Sequence, residues 1–539
     1  MASWIFSAGY RGFQAKVRGL PEVGNLARVN PLMAGVFPLV FLYSANIDEV
    51  PLSTAAPVIL AVLLGTAIFA VVLRMLLRAD EVAGVVAVVW LLLFFSYGHI
   101  LEAIAGESIG GFMWGRVRYL MAVEVLAAVA VLVLTLRNRG FSHHVTPVIS
   151  VMLAAPFLIV WTTVAIYHLQ SADDPSDGGF DISRVLLPEL ERDQLPDIYY
   201  IILDSYPRQD TLEQVFGFDN SPFIEFLEDN DFFVADKSRS NYTQTNLSLS
   251  SSLNMDYLQD LFKEREADDA DVSILREAIK DNKAVLMAKH MGYRFAFLNS
   301  PWGLTLASPH AEKELSTQIY PLGAFGRLVI KPVLGTDFGY FFSRTTPMRH
   351  GLDRIFNFFA IDLFNDNIAQ LKKISEIDDP IFTFAHFVPP HPPYVFDREG
   401  NGRNVGFALR IFNDQDSYVD QLVWVNKTFQ KTVIEILRND GGDSVIVIQG
   451  DHGTSFTDSN NVLAYGGEPD ASLVSEKSGI LNAIHLPNSC QPSELYDSIT
   501  PVNTFRLIFD SCLGTDFGLL DDVFYWSSFD RPYDFTAYD

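Results

Sequence analysis

Apolar residues follow two different patterns along the chain, and the pattern changes near residue 170. Before that point they form long runs almost free of charge, as membrane-spanning helices do. After residue 190 they form short runs separated by acidic loops that contain proline and glycine. The chain is therefore predicted to have a membrane part followed by a soluble part.

Five segments of the membrane part are long and apolar enough to cross a bilayer: 32–48, 55–77, 82–101, 119–136 and 147–168. We expect a cytoplasmic segment at 1–30, a transmembrane domain at 31–170, a linker at 171–195 and an extracytoplasmic domain at 196–539. The linker contains "SADDPSDGG", which is small, acidic and turn-forming.

Basic residues predict the orientation of these spans, because lysine and arginine collect in cytoplasmic loops. They cluster before the first span, at the end of the second and after the fourth, and Arg116 and Arg118 are the exceptions. An odd number of spans with the N-terminus inside places everything after residue 170 outside. The protein is thus predicted to be a multi-pass cell-membrane protein with an extracytoplasmic domain.

The soluble part contains apolar runs of strand length at 198–203, 293–298, 381–387, 445–448 and 480–486. Amphipathic stretches such as "VDQLVWVNKTFQKTVIEILRND" separate them and have the spacing of surface helices. Continuous apolar strands alternating with helices favour a largely parallel sheet covered on both faces. The predicted fold is an α-helical membrane domain of about five spans followed by an α/β domain.

Composition narrows the possible partners. The formal net charge is -26, almost all of it in the soluble part, so a nucleic-acid partner is not expected. Two cysteines, Cys490 and Cys512, exclude a disulfide framework and a cysteine metal cluster. They either pair outside the cytoplasm or remain two buried thiols.

Several predicted strands end in residues suited to metal chemistry. Asp204 follows the first strand, Asp451 and His452 follow "VIVIQG", and His391 lies between two proline pairs after "IFTFAHF". Each alone has a structural explanation: a helix cap, a tight turn or a stiff loop. Together, carboxylates and imidazoles at one sheet edge suit a single divalent cation such as Mn, Zn or Mg.

The segment "NYTQTNLSLSSSLNM" at 241–255 supplies a candidate nucleophile. Leu249, Leu253, Tyr257 and Leu261 recur every four residues, which predicts a helix whose first turn lies at about 246–248. Thr245 then lies just before a helix N-terminus that favours anions. The alternative is that Thr245 is an ordinary N-cap residue.

These motifs, in this order, resemble the alkaline phosphatase superfamily over about 195–539. The resemblance is to its sulfatase-like branch of membrane-anchored enzymes, which includes lipoteichoic acid synthases and phosphoethanolamine transferases. It rests on "DIYYIILDSY", "NYTQTNLSLSSSLNM", "FVPPHPPY" and "VIVIQGDHGTS". The resemblance implies metal ligation by Asp204, Thr245, Asp451 and His452, with Thr245 preferred to Thr243 as the nucleophile. It implies that His391 contacts the transferred group, with His386 and Asn246 as substrate-binding candidates.

Two departures from the family shape the expected activity. No second Asp and His set is evident between 300 and 390, where "SPHAEKE" lacks the aspartate, so one metal is expected. "CQPSE" at 490–494 resembles the sulfatase motif Cys/Ser-x-Pro-Ser-Arg. Glu494 replaces the arginine, however, and the motif follows the Asp-His pair. Ordinary sulfatase activity is therefore not favoured.

The expected function is transfer of a phospho group, or its hydrolysis, through a phosphothreonine intermediate. The expected donor is a membrane lipid or lipid-linked phosphodiester, and the expected acceptor is a glycan or a lipid. One alternative is a membrane-bound sulfatase or phosphodiesterase. Another is a catalytically silent binding module of the same fold.

Overall fold

A computed structural model represents the protein. It describes residues 23–47, 52–104, 108–109, 112–113, 117–171, 188, 190–263, 266–267, 269, 271–300, 302–305, 308–317, 342, 345–403, 414–490 and 495–538. The predicted cytoplasmic segment up to residue 22, most of the predicted linker and residues 491–494 of the "CQPSE" motif lie outside these ranges.

Five helices form the first part of the chain: α1 (Val23–Ala45), α2 (Leu52–Leu77), α3 (Asp80–Ile104), α4 (Val117–Arg137) and α5 (Arg139–Ser171). All five are long and apolar enough to cross a membrane, which confirms the predicted number of spans. The first helix begins at Val23 rather than near residue 32. Two short antiparallel strands of two residues each, β1 (Ser108–Ile109) and β2 (Phe112–Met113), lie between α3 and α4.

Close packing and buried polar contacts join the membrane helices. The Asn30 side chain donates a hydrogen bond to the Thr146 carbonyl oxygen and accepts one from the Ser150 hydroxyl. A Cβ added to Gly35 would lie 2.4 Å from Thr66 Oγ1, so only glycine allows α1 and α2 to approach this closely.

The compact unit that contains these helices spans Met1–Pro175 together with Pro332–His350. Sequence analysis assigned the second of these segments to the extracytoplasmic domain. Phe342 packs against Phe95 of α3, and Gly98 donates a backbone hydrogen bond to the Thr345 carbonyl oxygen. A short stretch late in the chain therefore packs with the apolar helices.

The second unit is built on a six-stranded sheet in the order β4-β8-β7-β3-β6-β5. Its strands are β3 (Ile198–Leu203), β4 (Phe233–Val234), β5 (Arg294–Leu298), β6 (Ile381–Phe387), β7 (Val445–Gln449) and β8 (Asn482–His485). Strands β7, β3, β6 and β5 are parallel, and β8 is antiparallel to both β7 and β4. The predicted largely parallel sheet is thus confirmed, with an antiparallel strand near one edge.

Helices cover both faces of this sheet. They are α6 (Gln209–Phe216), α7 (Ser221–Glu228), α8 (Thr245–Asn254), α9 (Leu258–Leu261), α10 (Ser273–Lys280), α11 (Lys283–His290), α12 (Arg349–Ile374), α13 (Gln415–Asn439), α14 (Val462–Tyr465), α15 (Ala471–Ser478) and α16 (Pro501–Leu513). Alternate residues of β3 enter two separate hydrophobic cores, one on each face. A hairpin of β9 (Phe524–Trp526) and β10 (Thr536–Tyr538) follows α16.

The predicted helix after Thr245 is shorter than its leucine spacing suggested. Helix α8 ends at Asn254, Met255 adopts the left-handed conformation at φ +57°, and α9 begins only at Leu258. The expectation of one helix through residue 262 was wrong because the chain turns at Met255. The residues at four-residue intervals instead belong to α8, to α9 and to the turn between them, and both helices bury apolar side chains.

The serines of α8 are packed against the rest of the domain. Ser248, Ser250, Ser251 and Ser252 are all buried. Tyr200 of β3 donates a hydrogen bond to the Ser252 hydroxyl at 3.2 Å. Their small size therefore brings α8 close to the sheet, as the sequence suggested.

The two cysteines form a disulfide bond. Cys490 pairs with Cys512 of α16 across a sequence separation of 22 residues. This resolves the alternative left open by the sequence in favour of pairing.

Candidate active site

The predicted chemical groups meet at the carboxyl edge of the parallel strands. Asp204 follows β3, Asp451 and His452 follow β7, and Thr245 begins α8. Because β3 and β7 are parallel neighbours, their carboxyl ends deliver Asp204 and Asp451 to the same place. Thr245 is the first residue of α8, with Gln244 as the N-cap. The helix therefore begins one residue earlier than expected, and Thr245 is neither just before the helix nor its N-cap.

The side-chain atoms of these four residues lie at the separations of a small coordination site. His452 Nε2 is 3.1 Å from Thr245 Oγ1, 3.5 Å from Asp451 Oδ2 and 3.8 Å from Asp204 Oδ1. A tetrahedral ion with bonds of about 2.0–2.1 Å requires ligand atoms about 3.4 Å apart. The structure thus brings His452 Nε2 within 3.8 Å of the other three predicted ligands, at separations close to those that one metal ion requires.

Unpartnered buried atoms point to the same conclusion. Asp204 Oδ1, Asp451 Oδ2 and His386 Nε2 are buried and have no hydrogen-bond partner among the described residues. Ligand atoms of these three residues lie within 4.8 Å of one another. Buried carboxylate oxygens without a donor are costly unless a cation or a proton compensates them. This donor set therefore fits a divalent metal ion.

The charges of the site are set by burial and by neighbouring groups. Burial alone would raise the pKa of Asp204, but the imidazoles of His391, His386 and His452 together hold it well below its usual range. Burial lowers the pKa of His452, and the nearby ammonium of Lys477 lowers it further, against the opposing effect of Asp451. An ionised carboxylate and a neutral imidazole are the forms that bind a metal.

Two residues that were not predicted from the sequence, Ser205 and Lys477, contact the loop that contains Asp451 and His452. Ser205 donates its backbone N–H to Asp451 Oδ1 at 3.0 Å, and its hydroxyl is 3.1 Å from His452 Nδ1. Lys477 Nζ is 3.0 Å from the same His452 Nδ1 and donates to the Gly453 carbonyl oxygen. These contacts fix the orientation of the His452 ring.

Glu476 anchors the residues that follow the Asp-His pair. Its buried carboxylate accepts hydrogen bonds from the Thr454 hydroxyl, the Phe456 N–H and both donors of Thr457. In the sequence, Glu476 and Lys477 have the composition of an exposed helix end. Of Ser205, Glu476 and Lys477, only Ser205 could have been suspected from the sequence, because it directly follows Asp204.

The histidines of β6 and the loop after it approach Asp204 from the other side. His386 is fully buried, its Nε2 lies 3.5 Å from Asp204 Oδ2, and its Nδ1 is 2.7 Å from Thr305 Oγ1. His391 donates its backbone N–H to the Asp204 carbonyl oxygen and is partly exposed. The geometry places His386 beside a metal ligand and His391 nearer the surface of the site.

Asn246 and Thr243 differ in what they offer a substrate. Asn246 is partly exposed in the first turn of α8, and its side chain accepts a hydrogen bond from the Leu247 N–H at 2.9 Å. Thr243 is fully buried and donates to the Ser527 carbonyl oxygen. The hydroxyl of Thr243 is therefore already committed, which agrees with the preference for Thr245.

Comparisons with known proteins return similarity only at the level of solved structures. No protein-family model and no curated protein sequence matches the chain. The C-terminal periplasmic domain of EcEptC from Escherichia coli aligns with a TM-score of 0.40 and 12% identity, covering 66% of this chain and 97% of that one. Phosphonate monoester hydrolase of Agrobacterium radiobacter aligns with a TM-score of 0.39 and 14% identity, covering 61% and 80%.

The integral membrane protein lipooligosaccharide phosphoethanolamine transferase A from Neisseria meningitidis covers 91% of this chain and 95% of its own length. The TM-score is 0.37 and the identity 11%. At such low scores, the chemistry has to be argued from this chain's own residues.

The sheet and the side chains at its edge define a candidate site. Two neighbouring parallel strands, β3 and β7, deliver two carboxylates and a histidine to one edge, beside a threonine that begins a helix. The described residues thus form a candidate metal site next to a hydroxyl group, at the carboxyl edge of an α/β sheet.

Proposed function

We propose that the protein transfers a phospho group from a lipid-derived phosphodiester to a glycan or lipid acceptor, with Thr245 as the nucleophile. The observation that carries this proposal is the contact of 3.1 Å between Thr245 Oγ1 and His452 Nε2. This contact lies beside the unpartnered oxygens of Asp204 and Asp451. A hydroxyl in this position is accessible to substrate and adjacent to a cation site, as nucleophilic catalysis requires.

Asp204, Asp451, His452 and the Thr245 oxygen would hold the divalent ion. When bound, the ion supplies Lewis-acid chemistry that lowers the pKa of the threonine hydroxyl and offsets negative charge on the phosphate. The identity of the ion is left among Zn, Mn and Mg, since mixed oxygen and nitrogen ligands suit all three.

The chain's own residues account for the remaining steps. Thr245 Oγ1 attacks phosphorus, the P–Oγ1 bond forms and the bond to the leaving oxygen breaks. His391 gives a proton to that oxygen. The N-terminus of α8 faces the negative charge that develops on the phosphate. An acceptor hydroxyl then attacks the phosphothreonine and gives its proton to His391. The P–Oγ1 bond breaks, and Oγ1 of Thr245 regains from solvent the proton that it gave to solvent in the first step.

The proposed location follows from the membrane helices and the basic loops. Five spans with a cytoplasmic N-terminus leave the second unit outside the membrane, where lipid head groups are present at high effective concentration. The Cys490–Cys512 bond agrees with an oxidising compartment. A donor drawn from membrane lipid is therefore favoured over a free soluble ester.

The test is mass spectrometry of the full-length protein in detergent after incubation with a divalent metal and an extract of envelope lipids. We expect a phospho-adduct on Thr245, whose mass identifies the transferred group. Thr245→Ala should abolish the adduct. Thr243→Ala is the matched control, because it removes a hydroxyl two residues away, and should retain the adduct.

Two results would contradict the proposal. One is an adduct on any residue other than Thr245. The other is turnover of an aryl sulfate by the metal-loaded protein with no phospho-adduct from any lipid, which would support the sulfatase alternative. A protein that binds no metal and forms no adduct would instead be the silent binding module.

A further inference from the structure

Two exposed aromatic side chains stand out on the second unit. Tyr465 is 76% exposed and Phe529 is 57% exposed. Among the residues of this unit that the structure describes, they are the only aromatic side chains with high exposure. We call this pair the aromatic rim.

The aromatic rim belongs to the loops that surround the nucleophile. Gln244, directly before Thr245, donates its side-chain N–H to the Ser528 carbonyl oxygen at 3.1 Å. Phe529 is the next residue, and its backbone N–H donates to the Leu463 carbonyl oxygen at 2.9 Å. Helix α14, which contains Leu463 and ends in Tyr465, follows the loop of the Asp-His pair. Backbone contacts thus connect both aromatic residues to the site.

The backbone that carries the aromatic rim is firmly held. Asp458 accepts hydrogen bonds from the Val462 and Leu463 N–H groups at 2.8 and 3.0 Å, which fixes the start of α14. Leu463 and Trp526 are buried together in one small hydrophobic cluster. Buried neighbours fix these two loops, while Tyr465 and Phe529 are exposed and do not belong to that cluster. The rim is therefore preorganised rather than a fraying segment.

We propose that the aromatic rim binds the acceptor and that this acceptor is a glycan with uncharged sugar rings. This proposal rests on the proposed function and specifies its acceptor. The face of an aromatic ring is negative, so it attracts the weakly positive C–H groups on the flat face of a pyranose. Each ring also offers a large contact area at a small cost in side-chain entropy.

Charges beside the aromatic rim favour a sugar over a membrane surface. Glu468 and Asp530 are exposed next to the two aromatic residues along the chain. Arg531, also exposed, is paired with Asp534 at 2.9 Å. Carboxylates accept hydrogen bonds from sugar hydroxyls, whereas an anionic bilayer surface would be repelled by them. Neutral sugar rings therefore match both the apolar and the polar groups of this surface.

The rim would act in the second half of the reaction. A sugar hydroxyl oxygen attacks the phosphorus of phosphothreonine, the new P–O bond forms and the P–Oγ1 bond of Thr245 breaks. The proton lost by the sugar hydroxyl balances the proton that Thr245 regains. Removing the rim should therefore impair transfer to sugar and leave formation of the adduct intact.

The experiment separates the two halves with artificial substrates. Full-length protein in detergent is given a divalent metal and bis(p-nitrophenyl) phosphate, and release of nitrophenolate reports formation of the Thr245 adduct. An N-acetylglucosamine trimer is the acceptor probe, and mass spectrometry measures the trimer that carries the remaining p-nitrophenyl phosphate group, relative to free p-nitrophenyl phosphate from hydrolysis. We expect Tyr465→Ala and Phe529→Ala to reduce transfer at least tenfold, with adduct formation within twofold of wild type.

Conservative and remote variants provide the controls. Tyr465→Phe keeps the ring and should transfer as wild type does. Ile434→Ala removes an exposed apolar side chain of α13 and should have no effect. Transfer to the trimer that is unchanged in both rim alanine variants would overturn the proposal. Equal loss of adduct formation in these variants would also overturn it, because the rim would then serve the donor or the fold.

A binding measurement keeps this inference independent of the reaction. In the Thr245→Ala background, saturation-transfer NMR should detect the trimer, and adding Tyr465→Ala should remove that signal. If wild type forms no adduct but this difference is seen, the proposed function fails and the rim remains a sugar site. If the trimer gives no signal and the rim variants instead lose binding to anionic lipid vesicles, the rim is a bilayer contact.

Discussion

The Asp451→Asn substitution tests the metal site through stability rather than through activity. Asp451 is 2% exposed, and its Oδ1 accepts hydrogen bonds from the Ser205 and His452 N–H groups at 3.0 and 2.9 Å. An asparagine keeps an oxygen in that position, so the loop retains both bonds. Only the unpartnered Oδ2, which lies 3.5 Å from His452 Nε2, changes from an anionic oxygen to an amide nitrogen.

The expected energies follow from the charges. Ligand atoms of Asp204 and Asp451 lie within 4.8 Å of each other, and at that separation two unit charges repel by about 3 kcal/mol at an effective dielectric constant of 20. Without metal, the substitution removes this repulsion, although nearby imidazoles offset part of it. Metal at a thousand times its Kd stabilises the wild type by about 4 kcal/mol. Metal stabilises the variant much less, because the variant lacks one anionic ligand.

The order of stability should therefore reverse with metal. In EDTA, Asp451→Asn should unfold at a higher temperature than wild type, and in saturating divalent metal at a lower temperature. Thermal unfolding of the full-length protein in detergent measures both. Asp497→Asn is the matched control, since Asp497 is half-exposed, pairs with Lys237 and is not among the proposed ligands. If metal raised the unfolding temperature of wild type and Asp451→Asn equally, the proposed ligand set would be refuted.

Three further expectations concern the fold of the second unit. Burial raises the pKa of Asp197 to about 7, so its contribution to stability is present at low pH and is lost as pH rises from about 4 to 7. Between pH 5 and pH 8 the free energy of unfolding should fall by about 3 kcal/mol through this group, and Asp197→Asn should remove that fall. Reducing the Cys490–Cys512 bond, or replacing both cysteines with serine, should lower the free energy of unfolding by about 3 kcal/mol, with no loss if the thiols are unpaired. In Gly453→Ala the new Cβ would lie 1.9 Å from the Glu476 carbonyl oxygen, so we expect the free energy of unfolding to fall by about 2 kcal/mol. Metal binding measured by calorimetry should also weaken, and an unchanged metal affinity would contradict this.

The parallel strands could be predicted because they are buried on both faces. The run at 198–203 is apolar at every position, and the structure buries all six residues of β3. The antiparallel direction of β8 could not be predicted, because an apolar run carries no information about direction. The break after α8 was missed for a related reason: Met255 is apolar and continues the pattern while its backbone reverses the chain.

The meeting of Asp204, Asp451 and His452 at one sheet edge could be predicted, and the residues that contact them could not. Asp204, Asp451 and His452 each follow a strand, and parallel strands bring such residues together. Lys477 reaches His452 only because α15 and the turn after it cross the loop of the Asp-His pair. Nothing in the local sequence around Lys477 records that crossing, since a lysine near a helix end is ordinarily solvated.

The choice of one hydroxyl among many is decided by accessibility. Thr243 and the four serines of α8 are buried, and each donates a hydrogen bond within the domain. Thr245 is partly exposed, and its hydroxyl meets His452 Nε2 instead of a backbone carbonyl. A substrate phosphate can therefore approach only this hydroxyl of the segment. The buried serines hold α8 close to β3. Larger residues in their place would move α8 away from β3 and carry Thr245 away from His452.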